Sequence, residues 1–291
     1  MVTLFLLAPG TLAPSHVEAA RGLLAALAPG APEWLEPSRA CAIPLERWSR
    51  HAEARLRAAL PGVDAVARAH DAPEPRLFVA DMDSTMIAVE CIDELAGYAG
   101  LKAEVAAITE RAMRGELPFA EALHARVALL AGLPVEVVDD CRRTCVVLSP
   151  GAKVLVRTLG ARGVRCVLAS GGFTAFADPV AAELGFHEVR ANRLEMEDGR
   201  LTGRLLGTLV DADAKRAALV EAARALHADA ATVVAIGDGA NDLPMVRAAG
   251  VGVAYRAKPA LAEAAVARLD HAELDALLHV LGVPRGAWAD A

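Results

Sequence analysis

The chain has 291 residues, 55% of them hydrophobic, and 30 Lys and Arg against 37 Asp and Glu give a formal net charge of −7. This length accommodates an α/β core with one or two smaller modules. An acidic chain without clustered basic residues argues against nucleic-acid binding, and no stretch approaches the ~20 apolar residues of a membrane helix. Five cysteines at irregular spacing predict no disulfide framework and favour a cytoplasmic protein.

The first 72 residues predict a small α+β domain. Residues 1–9 are apolar but lack a basic leader, which favours a buried strand over a signal peptide. Helical patterns follow over residues 15–27 and 45–60. The segment 70–75 contains two prolines and predicts a linker. We find no catalytic pattern in this region.

From residue 76 the pattern changes to short apolar runs, each followed by a polar or glycine-rich turn. Helical patterns follow the first three runs, and strands that alternate with helices predict a parallel sheet. Ligands bind beyond the carboxyl ends of the strands in such sheets. The four runs span residues 76–80, 164–169, 232–236 and 251–254.

A long insertion, residues 92–148, separates the first two runs. Its periodicity predicts helices over 103–114, 119–130 and 135–143, and such an insertion could act as a lid. The remainder, residues 73–91 and 149–291, forms the predicted core. Within the core, residues 192–210 alternate around Asp198-Gly199, a signal for a β-hairpin.

Acidic residues follow two of the predicted core strands. Asp81 and Asp83 end the first strand, and Asp238 and Asp242 follow the third. Buried carboxylates are costly unless something pairs with them, and hard divalent cations prefer carboxylate oxygens. The four acids therefore predict a magnesium site, although Asp is also favoured at helix caps and turns.

Two further features suggest an anion site. Ser170, Gly171 and Gly172 follow the second predicted strand, where a hydroxyl and free amides at a helix start can bind an anion. Ser-Gly-Gly is also an ordinary turn. Lys215 opens a predicted helix, 215–226, at the end that the helix dipole makes unfavourable for a cation. That position suggests an anionic ligand, although most such lysines are simply solvated.

The order of these motifs resembles the haloacid dehalogenase superfamily of phosphatases. Asp-Met-Asp-Ser-Thr, Ser-Gly-Gly, a lysine and Gly-Asp-Gly-Ala-Asn-Asp occur in the order typical of that superfamily, and the resemblance covers residues 76 to about 270. It implies a Rossmann-like parallel-sheet core with a helical cap inserted after the first core strand. Glu90, Ala112-Met113, Phe119, the run 126–130 and the run 191–194 are further similar to the phosphoserine phosphatases of this superfamily.

The resemblance implies a mechanism. Asp81 would be the nucleophile, forming an aspartyl-phosphate, and Asp83 the general acid and base. Mg²⁺ would bind the Asp81 and Asp238 side chains and the Asp83 backbone carbonyl. Asp242 would act indirectly, through water or by holding its neighbours.

It also implies how a phosphate group would be held. Ser170, the Gly171 amide and Lys215 would bind the phosphate oxygens. Asn241 would orient the site.

The rest of the substrate would be recognised elsewhere. Glu90 would pair with the ammonium of O-phosphoserine and Arg126 with its carboxylate, as a bidentate fork. Met113 and Phe119 would be lid residues that exclude water. Without the resemblance, Glu90 and Arg126 would be interpreted as solvated helix charges. Met113 and Phe119 could equally be plain core residues of the lid.

The resulting hypothesis is Mg²⁺-dependent hydrolysis of O-phosphoserine to serine and phosphate, the last step of serine biosynthesis. One alternative is another small phosphate ester, or transfer of the phosphoryl group to an alcohol such as homoserine. A second is a non-catalytic magnesium sensor. The N-terminal region resembles a degenerate ACT-like ligand-binding module, and the sequence leaves the oligomeric state open.

Overall fold

The computed structural model of the chain describes residues 1–113 and 116–290, apart from the side chain of Met113. The strands are β1 (Val2–Leu7), β2 (Glu33–Glu36), β3 (Ala40–Leu45), β4 (Asp64–Ala69), β5 (Leu77–Ala80), β6 (Arg165–Phe173), β7 (Glu188–Glu197), β8 (Arg200–Leu206), β9 (Val233–Gly237), β10 (Val251–Tyr255) and β11 (Ala267–Leu269). The helices are α1 (Pro14–Leu23), α2 (Arg50–Ala59), α3 (Cys91–Tyr98), α4 (Lys102–Met113), α5 (Phe119–Ala128), α6 (Val135–Cys145), α7 (Ala152–Ala161), α8 (Thr174–Leu184), α9 (Ala212–Ala225), α10 (Leu243–Ala248), α11 (Pro259–Ala264) and α12 (Leu277–Val280). In the described part of the chain, no helix is both long and apolar enough to span a membrane.

The N-terminal region folds as an antiparallel sheet of order β2-β3-β1-β4 with two helices. The chain order β-α-β-β-α-β is the ferredoxin-like one, so an α+β unit at this end is confirmed. The helix predicted from residue 45 begins later, at Arg50. Leu45 instead pairs with Val2 as the last residue of β3, and the Ser49 hydroxyl caps α2 by accepting from the Ala52 amide at 3.2 Å.

The N-terminal sheet packs on the last part of the core. The buried Asp64 carboxylate on β4 accepts hydrogen bonds of 2.8–3.0 Å from the amides of Asp270, His271 and Ala272. Arg39 adds an ion pair of 2.8 Å to Asp275. The two sheets are therefore joined by polar contacts as well as by apolar packing.

The core sheet has the order β11-β10-β9-β5-β6-β7-β8, with β8 antiparallel at one edge and the other strands parallel. Alternate residues of β5 enter different apolar clusters, Phe78 and Ala80 on one face and Leu77 and Val79 on the other. A strand covered on both faces is expected of a parallel sheet. Because β5 lies between β6 and β9, the ends of the three strands that carry the predicted motifs are adjacent.

The insertion between β5 and β6 is helical, as predicted, and consists of α3 to α6. Its two connections to the core run side by side, with Ala88 N–H donating to Val147 C=O and Ser149 N–H to Met86 C=O, both at 2.9 Å. The predicted hairpin is also present, formed by β7 and β8 with Asp198 and Gly199 at φ 48° and 73°. The predicted α/β fold with a helical cap and a small N-terminal unit is thus confirmed.

Candidate active site

Five buried polar residues form what we call the floor of the site. They lie at the carboxyl ends of β5, β6 and β9 and on the first turns of α9, and each is at most 5% exposed: Asp81, Ser170, Lys215, Asp238 and Asp242. Three of them, Asp81, Asp238 and Asp242, each present a carboxylate oxygen within 4.8 Å of the other two. The sheet topology therefore brings together acids that are about 160 positions apart in sequence.

Lys215 neutralises part of this acidic cluster. Its Nζ lies 2.7 Å from Asp81 Oδ1 and 2.7 Å from Asp242 Oδ1, and the side chain is 1% exposed. The Asp211 carboxylate caps α9 by accepting from the Ala214 amide, which sets where the helix starts. Burial alone lowers the pKa of Lys215, but attraction to Asp81 and Asp242 outweighs burial, and the pKa lies above its usual value.

Asp242 also shapes the loop after β9. Its second carboxylate oxygen accepts from the amides of Asp238 and Gly239 at 3.1 and 3.0 Å. A Cβ on Gly237 would lie 2.4 Å from the Asp242 carboxyl carbon, so glycine is required at that position. Asp242 thus holds both Lys215 and the backbone beside Asp238.

The floor fits a divalent cation. The only fully buried ammonium among these three carboxylates in the described part of the chain is that of Lys215. Burial together with the charge of Asp242 raises the pKa of Asp81 well above its ordinary value despite Lys215. An added cation would favour the ionised form of Asp81. Carboxylate oxygens are the ligands that hard divalent cations take. The Asp81, Asp238 and Asp242 cluster can therefore hold a metal ion.

Asp83 is held apart from that cluster. Its carboxylate accepts from the Cys91 amide at 3.0 Å and lies 3.5 Å from Ser170 Oγ. Its enclosed position, and then the charge of Glu90, raise the pKa of Asp83 to about 6. A Cβ on Gly172 would lie 2.6 Å from Asp83 Oδ2. Asp83 is therefore poised to carry a proton, and its neighbour at 172 must be small.

The Ser170-Gly171-Gly172 segment was predicted to follow the strand and to lie at a helix start, but it lies within β6, which runs to Phe173. Pairing with β7 continues to Phe173, after a register shift, and α8 begins at Thr174. Ser170 Oγ accepts from the Gly172 amide at 2.9 Å. The Gly171 carbonyl accepts from Asn192 Nδ2 at 2.8 Å. The segment is thus held in one conformation by side chains.

Asn192 is a supporting residue to which we assigned no role from the sequence. It is 2% exposed, and its Oδ1 accepts from the Val210 amide at 2.9 Å. It thereby ties the Gly171 backbone to the segment that enters α9. The family motif at 191–194 was the available signal, but it carries no indication of this contact.

Four side chains form what we call the rim: Glu90, Phe119, Arg126 and Lys258. Glu90 is 42% exposed in its side chain and accepts from Ser84 Oγ at 2.8 Å. Ser84 has φ 56°, a left-handed conformation uncommon outside glycine. This strained residue supports the orientation of Glu90.

The cap supplies two rim residues. Phe119 is 40% exposed, and its Cζ would lie 3.6 Å from a Cβ on Gly171. Arg126 donates from Nε to the Ala122 carbonyl at 3.3 Å. Burial lowers the pKa of Arg126, and the charges of Asp93 and Glu90 oppose that shift. Phe119 therefore lies beside the Gly171 segment, and Arg126 lies near enough to Asp93 and Glu90 for their charges to act on it.

Lys258 is a rim residue that the sequence reasoning missed. Its Nζ lies 3.3 Å from Asp238 Oδ2 and 4.0 Å from Glu90 Oε1. Burial lowers the pKa of Lys258, but Asp238 and Glu90 raise it above its usual value. Its position just beyond β10, the fourth predicted strand, was the signal that could have found it.

Two further residues with predicted roles are Asn241 and Met113. Asn241 lies next to Asp242, and its Oδ1 would be 2.3 Å from a Cβ on Gly239, so it packs on the loop backbone. Met113 is the last residue of α4, but its side chain lies outside the described part of the chain, and its predicted lid role stays a prediction.

The fold and these strand ends define a class of protein. The family model of the haloacid dehalogenase-like hydrolases matches residues 78–247, more than half of the chain. The chain belongs to this family. It combines a domain of this family with an additional N-terminal unit.

Within this family, the curated relatives that the chain matches include phosphoserine phosphatases. The chain is 51% identical over 211 residues to a phosphoserine phosphatase of Mycobacterium tuberculosis, a match that covers 72% of this chain and 51% of the relative. It is 47% identical to a phosphoserine phosphatase of Polaromonas, with 71% and 89% covered. The matched region thus spans about half the length of the Mycobacterium relative and most of the Polaromonas one.

Solved structures are similar over more of the chain. A phosphoserine phosphatase, described as probable, from Vibrio cholerae has a TM-score of 0.82 at 35% identity, with 98% of this chain and 88% of that chain covered. A hydrolase of the same family from Salmonella enterica serovar Typhi has a TM-score of 0.87 at 27% identity, with 97% and 99% covered. The N-terminal unit is therefore part of the likeness.

Proposed function

We propose that the chain is a phosphoserine phosphatase, which hydrolyses O-phospho-L-serine to L-serine and phosphate through an aspartyl-phosphate. The observation that carries the proposal is the division between two carboxylates at the end of β5. Asp81 lies 2.7 Å from the Lys215 ammonium in the acidic floor, whereas Asp83 accepts from the Cys91 amide and has a raised pKa. The names of the relatives support the choice of substrate.

The two carboxylates would divide the reaction between them. Asp81 attacks phosphorus, an oxygen–phosphorus bond forms, and the bond from phosphorus to the serine oxygen breaks. Asp83 donates its proton to that departing oxygen. Asp83 then takes a proton from water, whose oxygen attacks phosphorus. Phosphate leaves and the Asp81 carboxylate is regenerated.

We infer that the cation of the floor is Mg²⁺. The Asp81 and Asp238 side chains and the Asp83 backbone carbonyl would hold it, with Asp242 acting indirectly. When bound, it supplies positive charge that stabilises the transferring phosphoryl oxygens. The acidic cluster of the floor supports a metal here, and the hard carboxylate ligands support Mg²⁺ over softer metals.

The phosphate group would be bound by two floor residues, Ser170 and Lys215, and by the backbone of Gly171. The Ser170 hydroxyl, the Gly171 amide and the Lys215 ammonium are its proposed donors. The hydrogen bond from Asn192 to the Gly171 carbonyl supports this role, because it pre-organises the segment that carries the amide. Asn241 would keep the neighbouring loop in place.

The rim would select the serine part of the substrate. Glu90 would accept from the ammonium, and Arg126 would bind the carboxylate by two parallel hydrogen bonds. Phe119, and Met113 at the end of α4, would close over the substrate and exclude water. Because Glu90 and Phe119 are partly exposed, each can contact a substrate that enters from solvent.

Three further inferences accompany this function. The chain would divide into an N-terminal domain at 1–72, a core at 73–91 and 149–291, and a cap at 92–148. The N-terminal domain would bind a regulatory ligand as an ACT-like module. The free state of all five cysteines supports a cytoplasmic location.

Phosphate release from O-phospho-L-serine, with Mg²⁺ or with EDTA, tests the function. We expect turnover that requires Mg²⁺ and disappears in the Asp81→Asn variant, with free serine and phosphate as products in equal amounts. Adding homoserine or another alcohol should not divert phosphate into a new ester. Absence of phosphate release, or a phosphorylated alcohol as the main product, would contradict the proposal.

A further inference from the structure

Lys258 is a second cation beside the acids of the site, and its setting differs from that of Lys215. Its Nζ lies 3.3 Å from Asp238 Oδ2 and 4.0 Å from Glu90 Oε1. Its side chain is 60% exposed, whereas that of Lys215 is 1% exposed. Lys258 therefore reaches the buried Asp238 and the partly exposed Glu90 from the solvent side of the site, and its ammonium can leave them for water.

The backbone of Lys258 is fixed although its side chain is not. Its N–H donates to the Asp238 carbonyl at 2.8 Å, and its own carbonyl accepts from the Leu261 and Ala262 amides at 3.1 and 3.0 Å. Pro259 follows as the first residue of α11. The Cα of Lys258 is thus held beside the Asp238 loop, while the flexible four-carbon stem can swing.

The two acids that Lys258 reaches are the ones that the proposed function pairs with incoming cations. Asp238 would hold the metal, and Glu90 would accept the substrate ammonium. Lys215 cannot neutralise them, because its ammonium already lies 2.7 Å from both Asp81 and Asp242. Before metal and substrate bind, Lys258 supplies the positive charge for this side of the site.

We propose that Lys258 is an internal counter-ion that competes with the metal for Asp238 and with the substrate ammonium for Glu90. The inference rests on the metal site of the proposed function. Two cations near one carboxylate repel each other, so metal binding displaces the Lys258 ammonium toward solvent. Lys258 is a positioning residue: it keeps Asp238 and Glu90 in place before the ligands bind. Because the metal must displace its ammonium from Asp238, its charge weakens metal binding.

Calorimetric titration of the full chain with Mg²⁺, without substrate, tests the proposal. Lys258→Met removes the charge and keeps most of the stem, and it should bind Mg²⁺ roughly 3- to 10-fold more tightly at low ionic strength, as expected for a partly exposed charge a few ångströms away. The gain should shrink at high salt, because mobile ions screen the repulsion. Lys258→Arg, which keeps the charge, should stay close to wild type.

Two controls make the result interpretable. Lys153→Met removes a lysine on α7 for which the described residues show no ion pair within 4 Å, and it should not change the affinity. Asp238→Asn should abolish the titrated binding, which identifies the site being measured. Both are run at the same two salt concentrations.

Several results would overturn the proposal. Unchanged or weaker Mg²⁺ binding by Lys258→Met would show that Lys258 does not compete with the metal. A gain that is equal at low and high salt, or equal in Lys258→Arg, would indicate a structural effect and not one of charge. Failure of every variant and of the wild type to bind Mg²⁺ would contradict the proposed metal site and this inference together.

Discussion

The floor and the rim of the site are built differently. Floor residues are at most 5% exposed and hold one another, as in the contacts of Lys215 with Asp81 and Asp242. The Glu90, Phe119 and Lys258 side chains of the rim are 40–60% exposed. Buried, mutually bonded groups are pre-organised for charge stabilisation, whereas partly exposed groups can move to meet a ligand. We infer that the floor determines the reaction and the rim determines the substrate.

Loss of the floor cation should have the largest effect. Lys215→Met leaves Asp81 and Asp242 buried without their counter-ion, which is expected to lower the free energy of unfolding by about 3–5 kcal/mol. Phosphatase activity should fall by about 10²–10³-fold, because a donor to the phosphoryl oxygens is also lost. Urea unfolding in EDTA and steady-state kinetics measure the two effects.

Added Mg²⁺ should restore part of the stability of Lys215→Met, since a bound cation stabilises the folded state. Lys153→Met is the matched control and should behave as wild type. Wild-type stability in Lys215→Met would show that the floor does not depend on this ion pair, and the contrast with the rim would fail.

Loss of Arg126 should lower activity on O-phosphoserine but not on a phosphate ester that lacks a carboxylate. In Arg126→Ala, kcat/KM for O-phosphoserine should fall about 10- to 150-fold, the equivalent of roughly 1.5–3 kcal/mol for hydrogen bonds to a charged group. Activity on a phosphate ester without a carboxylate, such as phosphoethanolamine, should change little. Equal losses on both substrates would assign Arg126 to cap stability and not to substrate choice.

A smaller effect is expected at Phe119. The Phe119→Ala substitution removes a ring that packs near Gly171. Because the ring is partly exposed, about 1 kcal/mol of apolar contact should be lost, which corresponds to a roughly fivefold decrease in kcat/KM. Phe119→Leu keeps apolar bulk and should retain most activity. A loss as large as that of Lys215→Met would mean that the rim takes part in the chemical step.

The same contrast explains what could be predicted from the sequence. Asp81, Asp238 and Ser170 follow apolar runs that predict parallel strands, so their meeting at one sheet edge follows from topology. Lys258 and Asn192 were assigned no role, because each is a single residue whose partner is distant in sequence. Their contacts join segments about 20 positions apart in sequence, and neither the strand-end position of Lys258 nor the motif around Asn192 identifies those partners.

The N-terminal unit was predicted only in part, for related reasons. β2 is a short edge strand whose side chains are exposed or half-buried, so it lacks the alternation that identifies a strand. β4 carries Asp64, a polar residue where a buried apolar one is expected. Its carboxylate is satisfied by three amides of residues 270–272, a long-range contact that the local sequence does not reveal.

The central claim is that Asp81 and Asp83 have separate roles, and labelling of the Asp83→Asn variant tests it most directly. The chain is mixed with O-phosphoserine carrying radioactive phosphate and quenched in acid, and the label is located by peptide mapping. We predict that Asp83→Asn becomes labelled on Asp81 and turns over about 10²–10⁴-fold more slowly than wild type. Full steady-state activity in Asp83→Asn, or label on a residue other than Asp81, would contradict the account.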